Sequence, residues 1–192
     1  MSYELHAVVG DFDRLRGLSA GLPRAVVVPL RQRLGLLPMT GEIFDELGGG
    51  GGRRRAEGPF VLMSPALDAL LAEWSRGGPV AYVEADFFGG DGEQTAALWE
   101  GGLRTWGPEN AWNPPGRPET WPINAALARL GAVRAGPFDL FDTIGFGQER
   151  DMEGWREAGL RALDAADYDA WEAARRDAAP PGGVRGTRPP HA

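Results

Sequence analysis

The sequence predicts a single α+β domain with a mainly antiparallel sheet and three to five packed helices. Its length of 192 residues fits one domain. Strand-like and helix-like segments are mixed along the chain, without the strict alternation that produces parallel sheets. The central segment, about 79–106, contains closely spaced glycine pairs that favour tight turns, and this pattern is typical of a β-meander.

The N-terminal part of the chain predicts two strands and two short helices. "YELHAVVG", 3–10, indicates an opening strand, and Asp11 is placed to cap a helix over "FDRLRGL". "RAVVVPL", 24–30, is apolar and β-branched, as expected of a buried strand. "TGEIFDEL", 40–47, predicts one or two helical turns. The glycine run that follows predicts a flexible loop over 48–58, because ordering glycine costs much backbone entropy.

Further helices are predicted in the second half of the chain. "SPALDALLAEWSRGG", 64–78, has a serine cap, a proline at the first helical position and apolar residues at helical spacing. "TWPINAALARLG", 120–131, predicts a second helix. Glycines interrupt the segment 151–176, which predicts two helices or one kinked helix. The Pro/Gly-rich residues 178–192 predict a disordered tail, so the predicted domain is 1–177.

Composition argues against several classes of function. The formal net charge of −7 disfavours binding to nucleic-acid phosphates and to anionic membranes. With no Cys and only two His, we expect no disulfide, no thiolate chemistry, no Cys- or His-built metal centre and no bound cofactor. No apolar run is long enough to span a membrane, and the N-terminus lacks a signal-peptide pattern. We therefore expect a cytoplasmic protein.

The turns of the meander set the predicted strand register. Gly90-Asp91 is the predicted corner of the first hairpin, because both central positions of such a turn favour positive φ. A second corner is predicted at Gly101-Gly102. Together the two corners predict six cross-strand pairs: Phe88 with Glu93, Asp86 with Thr95, Glu84 with Ala97, Tyr82 with Trp99, Trp99 with Arg104, and Ala97 with Trp106.

This register divides the meander into a core side and an outward side. Residues two apart on a strand project from the same face, roughly 6.6 Å apart. Three carboxylates, several aromatic rings and one Arg therefore share the predicted outward side, a combination that suits protein recognition. The candidate binding residues are Tyr82, Glu84, Asp86, Glu93, Trp99, Arg104 and Trp106. No residue is assigned a catalytic or metal-binding role in this interpretation.

Two other interpretations of the same surface stay open. Glu84, Asp86 and Glu93 are the residue types that bind a divalent cation or act as general acid and base. That reading makes the protein a metal-dependent hydrolase or transferase. The other interpretation is structural, an exposed sheet face that is polar because it meets water.

Outside the meander, few residues suggest chemistry. "GLSAG", 17–21, matches a nucleophile elbow, but the elbow needs a strand before its serine and a helix after it, and the predicted order here is the reverse. Asp139 and Asp142 lie among apolar residues in "PFDLFDTIGFG". They predict a loop, a helix cap or the wall of a pocket.

The stretch "AYVEADFFGGDGEQTAALWEGG", followed by "PINAALARLG" and "FDTIGFGQERDMEGW", resembles a family of small, acidic actinobacterial proteins. That family is marked by a Y-V-E-x-[DE]-[YF]-F-G-G-x-G-x-Q stretch, a short W-x-x-G strand and a P-I-N-x-A-L-x-x-L-G helix. The resemblance covers about 79–155. Its members are similar in size, acidity and architecture to immunity proteins of bacterial toxin systems, which neutralise a toxin by binding it.

The expected function is therefore that of a protein-binding module, and its specific form is an immunity protein whose acidic aromatic sheet face occupies a basic site on a toxin partner. Electrostatic complementarity with a cationic partner would speed their association. The carboxylate-based enzyme is the alternative function. Mimicry of nucleic acid by the negative surface is a third possibility, which differs from the first only in the identity of the partner.

Overall fold

The computed structural model of the protein describes residues 2–47 and 58–178. In this part of the chain a six-stranded antiparallel sheet is packed against helices. The predicted α+β class with a mainly antiparallel sheet is confirmed. The predicted loop 48–58 and tail 178–192 lie outside the described residues, except for Gly58 and for Ala178, which ends the last helix.

The strands are β1 (Ser2–Asp11), β2 (Val28–Pro29), β3 (Leu34–Pro38), β4 (Val80–Phe88), β5 (Asp91–Glu100) and β6 (Leu103–Trp112). Their order in the sheet is β2-β3-β1-β4-β5-β6, so β1 is an interior strand. Of the strand predicted over 24–30, only β2 forms. The sequence does not predict β3, because "LGLLP" has neither alternation nor β-branched residues; all five of its residues are buried.

The described residues form seven α-helices: α1 (Phe12–Ser19), α2 (Gly41–Glu46), α3 (Pro65–Trp74), α4 (Pro122–Arg129), α5 (Leu140–Ile144), α6 (Met152–Arg161) and α7 (Tyr168–Ala178). The number exceeds the predicted three to five because α2 and α5 are little more than single turns. The predicted caps Asp11 and Ser64 each accept a hydrogen bond from the backbone N–H three residues later. The segment 151–176 forms two helices rather than one kinked helix.

Helices cover both faces of the sheet. On what we call the first face, α4, α5 and α6 pack over a buried cluster that includes Val83 and Trp155. On the second face, α1 and α3 pack over a buried cluster that includes Tyr82 and Trp99. The sheet is therefore the middle of three layers, and its central strands are buried on both sides where helices cover them.

The β4–β5 hairpin turns at Gly89-Gly90, one residue earlier than predicted. Both glycines have positive φ, 65° and 99°, a conformation that glycine adopts without steric cost, and Asp91 instead begins β5. Phe88 therefore lies opposite Asp91, and Asp86 lies opposite Glu93. The predicted register is wrong by two residues. A shift by an even number keeps each side chain of β4 and β5 on its predicted face.

β6 departs from the prediction in a way that changes a face. An irregularity in its pairing with β5 sets Trp106 opposite Leu98 rather than Ala97. Trp106 therefore lies on the first face, where the Arg129 guanidinium is 4.3 Å from its ring centroid. The next residue, Gly107, has a φ of +78°, and a Cβ there would lie 2.5 Å from a β5 carbonyl oxygen. Glycine is the residue that this irregularity requires.

Candidate acidic binding site

The helices of the second face leave one end of the sheet open. α1 and α3 cover the end that holds Tyr82 and Trp99, and no described helix covers the end nearest the β4–β5 hairpin. At this end Glu4 of β1, Asp86 of β4 and Glu93 of β5 lie directly opposite one another across three neighbouring strands. We call these three residues the carboxylate row. Adjacent strands are about 4.8 Å apart, so the three side chains stand side by side.

Next to the carboxylate row is a cavity of about 860 Å³, which we call the acidic cavity. It is bounded by β1, β4 and β5, by residues 39–45 in and before α2, by the segment 61–64, and by α6. Acidic side chains outnumber basic ones in its described lining, which contains Glu4, Glu42, Asp45, Glu84, Asp86, Glu93 and Glu153 against Arg156 and His6. Its electrostatic potential therefore favours a cation.

Within the described residues the carboxylate row has little compensating positive charge, since only Glu4 has a basic neighbour, His6, at 3.5 Å. Like charges directly opposite each other on antiparallel strands destabilise a sheet, by roughly 0.2–1 kcal/mol a pair. Within the described residues, Asp86 has neither a hydrogen bond nor an ion pair, and Glu93 accepts only a long 3.3 Å hydrogen bond from Asn110. A positively charged ligand would relieve this repulsion.

Glu84 lies below the row and is only 4% exposed. Its carboxylate accepts hydrogen bonds from the backbone N–H of Val61 (2.6 Å), from that of Leu62 (2.9 Å) and from the Tyr82 hydroxyl (2.9 Å). Buried carboxylates are stable only with such donors. Glu84 therefore fixes the segment 61–64 against the sheet and forms part of the cavity wall.

His6 lies between two carboxylates beside the cavity. Its Nε2 is 3.5 Å from Glu4 Oε1, and its Nδ1 is 3.9 Å from Glu84 Oε1. Among the described residues Nδ1 has no hydrogen-bond partner. An imidazole has the donor and acceptor atoms for proton transfer or for binding a ligand N–H. The sequence assigns no role to His6, because a single histidine in an alternating strand gives no spacing signal.

Two exposed aromatic residues flank the carboxylate row. Phe88 is 79% exposed at the end of β4, and Trp112, directly opposite Glu93, is 63% exposed at the end of β6. Aromatic residues are enriched at protein–protein interfaces, so the two rings add apolar contact area beside the carboxylates. Trp112 lies beyond the predicted meander, which ends near residue 106, so it is not among the predicted binding residues.

The structure brings together only part of the predicted binding face. Tyr82 and Trp99 are buried beneath the helices of the second face, so the prediction that they are outward-facing is wrong. The prediction that Glu84 faces outward is also wrong, because its side chain is buried against the segment 61–64. Arg104 is exposed and lies over the Trp99 ring, 5.9 Å from its centroid, and Trp106 is on the first face. Of the seven candidates, Asp86 and Glu93 remain at the open end.

Gln94 and Asp139 stabilise the first turns of α4 and α5. Gln94 accepts a hydrogen bond from the N–H of Ile123 at the start of α4. Asp139 caps α5 by accepting from the N–H of Asp142, and it also accepts from the side chain of Asn124. The helix-cap interpretation of Asp139 is therefore confirmed, and neither Asp139 nor Asp142 lines the acidic cavity.

Comparison with known proteins gave a uniform result. No family model, curated protein or solved structure matches this chain. The resemblance to the actinobacterial family and to immunity proteins stays a prediction.

Among the described residues, no group of three or more His, Asp or Glu is arranged to hold a metal ion, and no helix has the length and apolarity to cross a membrane.

The buried Tyr82 and the partly buried Tyr3 make the stability of the protein sensitive to alkaline pH. Burial raises the pKa of Tyr82 well above its ordinary value, and the charge and hydrogen bond of Glu84 raise it further. Burial likewise raises the pKa of Tyr3, against smaller opposing effects of Trp155 and Arg150. Each tyrosine contributes its full stabilisation below about pH 10, the ordinary tyrosine pKa, and this stabilisation is lost as the pH rises, because the unfolded chain ionises first.

We expect the free energy of unfolding to fall above about pH 10 by about 1.4 kcal/mol per pH unit for each of these tyrosines. Urea denaturation at a series of pH values between about 9 and 11 measures this slope. In Tyr82→Phe the slope should be about half as steep. A slope that Tyr82→Phe leaves unchanged would contradict the assignment.

Proposed function

We propose that the protein is a binding module that recognises a positively charged protein partner at the open end of the second sheet face. The observation that carries the proposal is the carboxylate row, whose three acidic residues are in cross-strand register. In the described chain Asp86 and Glu93 have no ion-pair partner, and Glu4 has only His6, 3.5 Å away. Such an arrangement opposes folding and favours cation binding. Phe88 and Trp112 flank the row and supply apolar contact area.

The properties of the surface suit protein recognition. The carboxylates project from the strands of a six-stranded sheet, so little conformational entropy is lost when a partner binds. Exposed tryptophan is enriched among residues that dominate binding energy. A net charge of −7 would also accelerate encounter with a basic partner at low salt.

A specific form of the proposal is a cytoplasmic immunity protein that neutralises a basic toxin. What supports this form is the resemblance described above, together with the acidic surface. The general proposal does not depend on it, since any partner that presents clustered Arg or Lys meets the same requirements.

The proposal predicts where a cationic peptide binds. We expect a peptide of alternating arginine and glycine, at about 150 mM salt, to shift the backbone amide NMR signals of the carboxylate row, Phe88 and Trp112. The double variant Asp86→Asn/Glu93→Gln should bind this peptide about tenfold more weakly, since each lost charge pair is worth about 0.2–1 kcal/mol.

The matched control is Glu73→Gln/Glu100→Gln, which changes the net charge equally at two exposed residues that do not line the cavity. This control should retain nearly full affinity. Equal weakening in both double variants, or shifts spread over the whole acidic surface, would mean that the peptide responds to net charge alone, and the proposal would then fail.

A further inference from the structure

The acidic cavity has two chemically different linings. Three carboxylates of the row stand at its sheet side. Its other walls include an apolar part built by three methionines, Met39, Met63 and Met152, together with Phe44 and Leu62. Methionine side chains are flexible and polarisable, so such a wall adapts to the shape of an inserted group.

A long basic side chain matches both linings at once. Lysine and arginine carry an alkyl stem that packs on apolar surface and a cationic head that reaches polar or charged groups. The volume of about 860 Å³ falls within the range of sites that enclose small ligands, roughly 300–1,000 Å³. The cavity therefore has room for one such side chain and for the residues beside it.

We propose that the acidic cavity receives an arginine or lysine side chain from a loop of the protein partner, and that this side chain anchors the interface. The inference rests on the proposed function and names the group that the partner contributes. The stem packs against the methionine wall, and the head group donates hydrogen bonds to the carboxylate row.

Other ligand classes fit the cavity less well. An anion would meet seven acidic side chains, and Arg156, the one arginine among the described residues of the lining, is already 3.5 Å from Glu153. A metal ion would find no group of three or more ligands within the described residues. A purely apolar ligand would leave the carboxylates desolvated without a counter-charge, which is costly.

The methionines report directly on occupancy of the cavity. The chain has four methionines, and three of them line it. With ¹³C-methyl-labelled methionine, we expect N-acetyl-arginine-methylamide to shift the signals of Met39, Met63 and Met152 in a saturable manner. The citrulline analogue has nearly the same shape without the charge, and we expect it to bind at least about tenfold more weakly. Equal shifts with both probes, or no shift with either, would overturn the inference.

A pair of variants tests the place of binding. Val61 lines the cavity and is exposed, and its backbone N–H, which bonds Glu84, survives a change of side chain. Val61→Trp should narrow the cavity and abolish the methionine shifts caused by the arginine probe. Val133→Trp makes the same change at an exposed residue outside the lining and should leave these shifts intact. Equal binding in the two variants would contradict the inference.

The two proposals can fail separately. One outcome is that the peptide of alternating arginine and glycine shifts the signals of Asp86, Glu93 and Trp112 while the three methionine signals stay unchanged. In that case the anchor in the cavity is wrong and the acidic surface stands. If the peptide shifts neither set of signals, the proposed function itself is wrong.

Discussion

Glu84→Ala is expected to lower the free energy of unfolding by about 3–4 kcal/mol. Three donors give hydrogen bonds to this carboxylate, and all three would lose their acceptor at a site that is 4% exposed. A hydrogen bond to a charged group contributes roughly 1.5–3 kcal/mol. Water that enters from the adjacent acidic cavity should recover part of the sum.

Urea denaturation measures the loss, and Asp86→Asn is the control. Asp86 lies two residues further along β4, is exposed and has no partner in the described chain, so its substitution removes no stabilising contact. Relief of the repulsion from Glu4 and Glu93 should make Asp86→Asn slightly more stable, by roughly 0.2–1 kcal/mol a pair. Amide hydrogen exchange gives a second readout. The N–H groups of Val61 and Leu62 should exchange faster in Glu84→Ala than in Asp86→Asn. Similar stabilities for the two variants would show that the carboxylate does not hold the segment 61–64.

Trp99→Ala is expected to destabilise the protein by about 3–5 kcal/mol, as for other large residues removed from a core. Trp99 is 1% exposed within the buried cluster of the second face. Its indole N–H donates a hydrogen bond of 3.2 Å to Asp68 of α3. Truncation would leave a large cavity and remove one tie between the sheet and that helix.

Trp112→Ala is the comparison for this variant. Trp112 is 63% exposed, so its removal should change the free energy of unfolding by less than about 0.5 kcal/mol and should instead weaken binding of the arginine-glycine peptide. Thermal or urea denaturation together with the peptide titration separates the two effects. If Trp99→Ala kept full stability and lost only peptide binding, the outward position predicted from the sequence would be correct and the buried position wrong.

Local signals predicted much of the secondary structure. α3 follows from a serine cap, a proline and helical spacing, and α1 from the cap Asp11. These features act through neighbours in sequence and can be read without the fold. Alternation likewise assigned each residue of β4 and β5 to its correct face, although the register was wrong by two.

Other features escaped prediction because distant contacts determine them. β3 is apolar at almost every position, and it is a strand because it pairs with β1 and β2. Trp106 changes face at an irregularity of the β5–β6 pairing, which depends on how two strands meet. His6 and Glu84 are far apart in the sequence and become neighbours only through the β1–β4 pairing.

The sequence by itself determined the chemistry of this protein: its net charge of −7, its lack of cysteine, and a β-hairpin with acidic residues on one side. The tertiary structure decided which of those residues can meet a partner. Helices from distant parts of the chain bury Tyr82 and Trp99. Backbone N–H groups of the segment 61–64 donate hydrogen bonds to the buried carboxylate of Glu84. Asp86 and Glu93 lie at the open end of the sheet, and β1 places Glu4 beside Asp86. The reason is physical, since alternation specifies two faces of a strand and burial depends on what packs against each face.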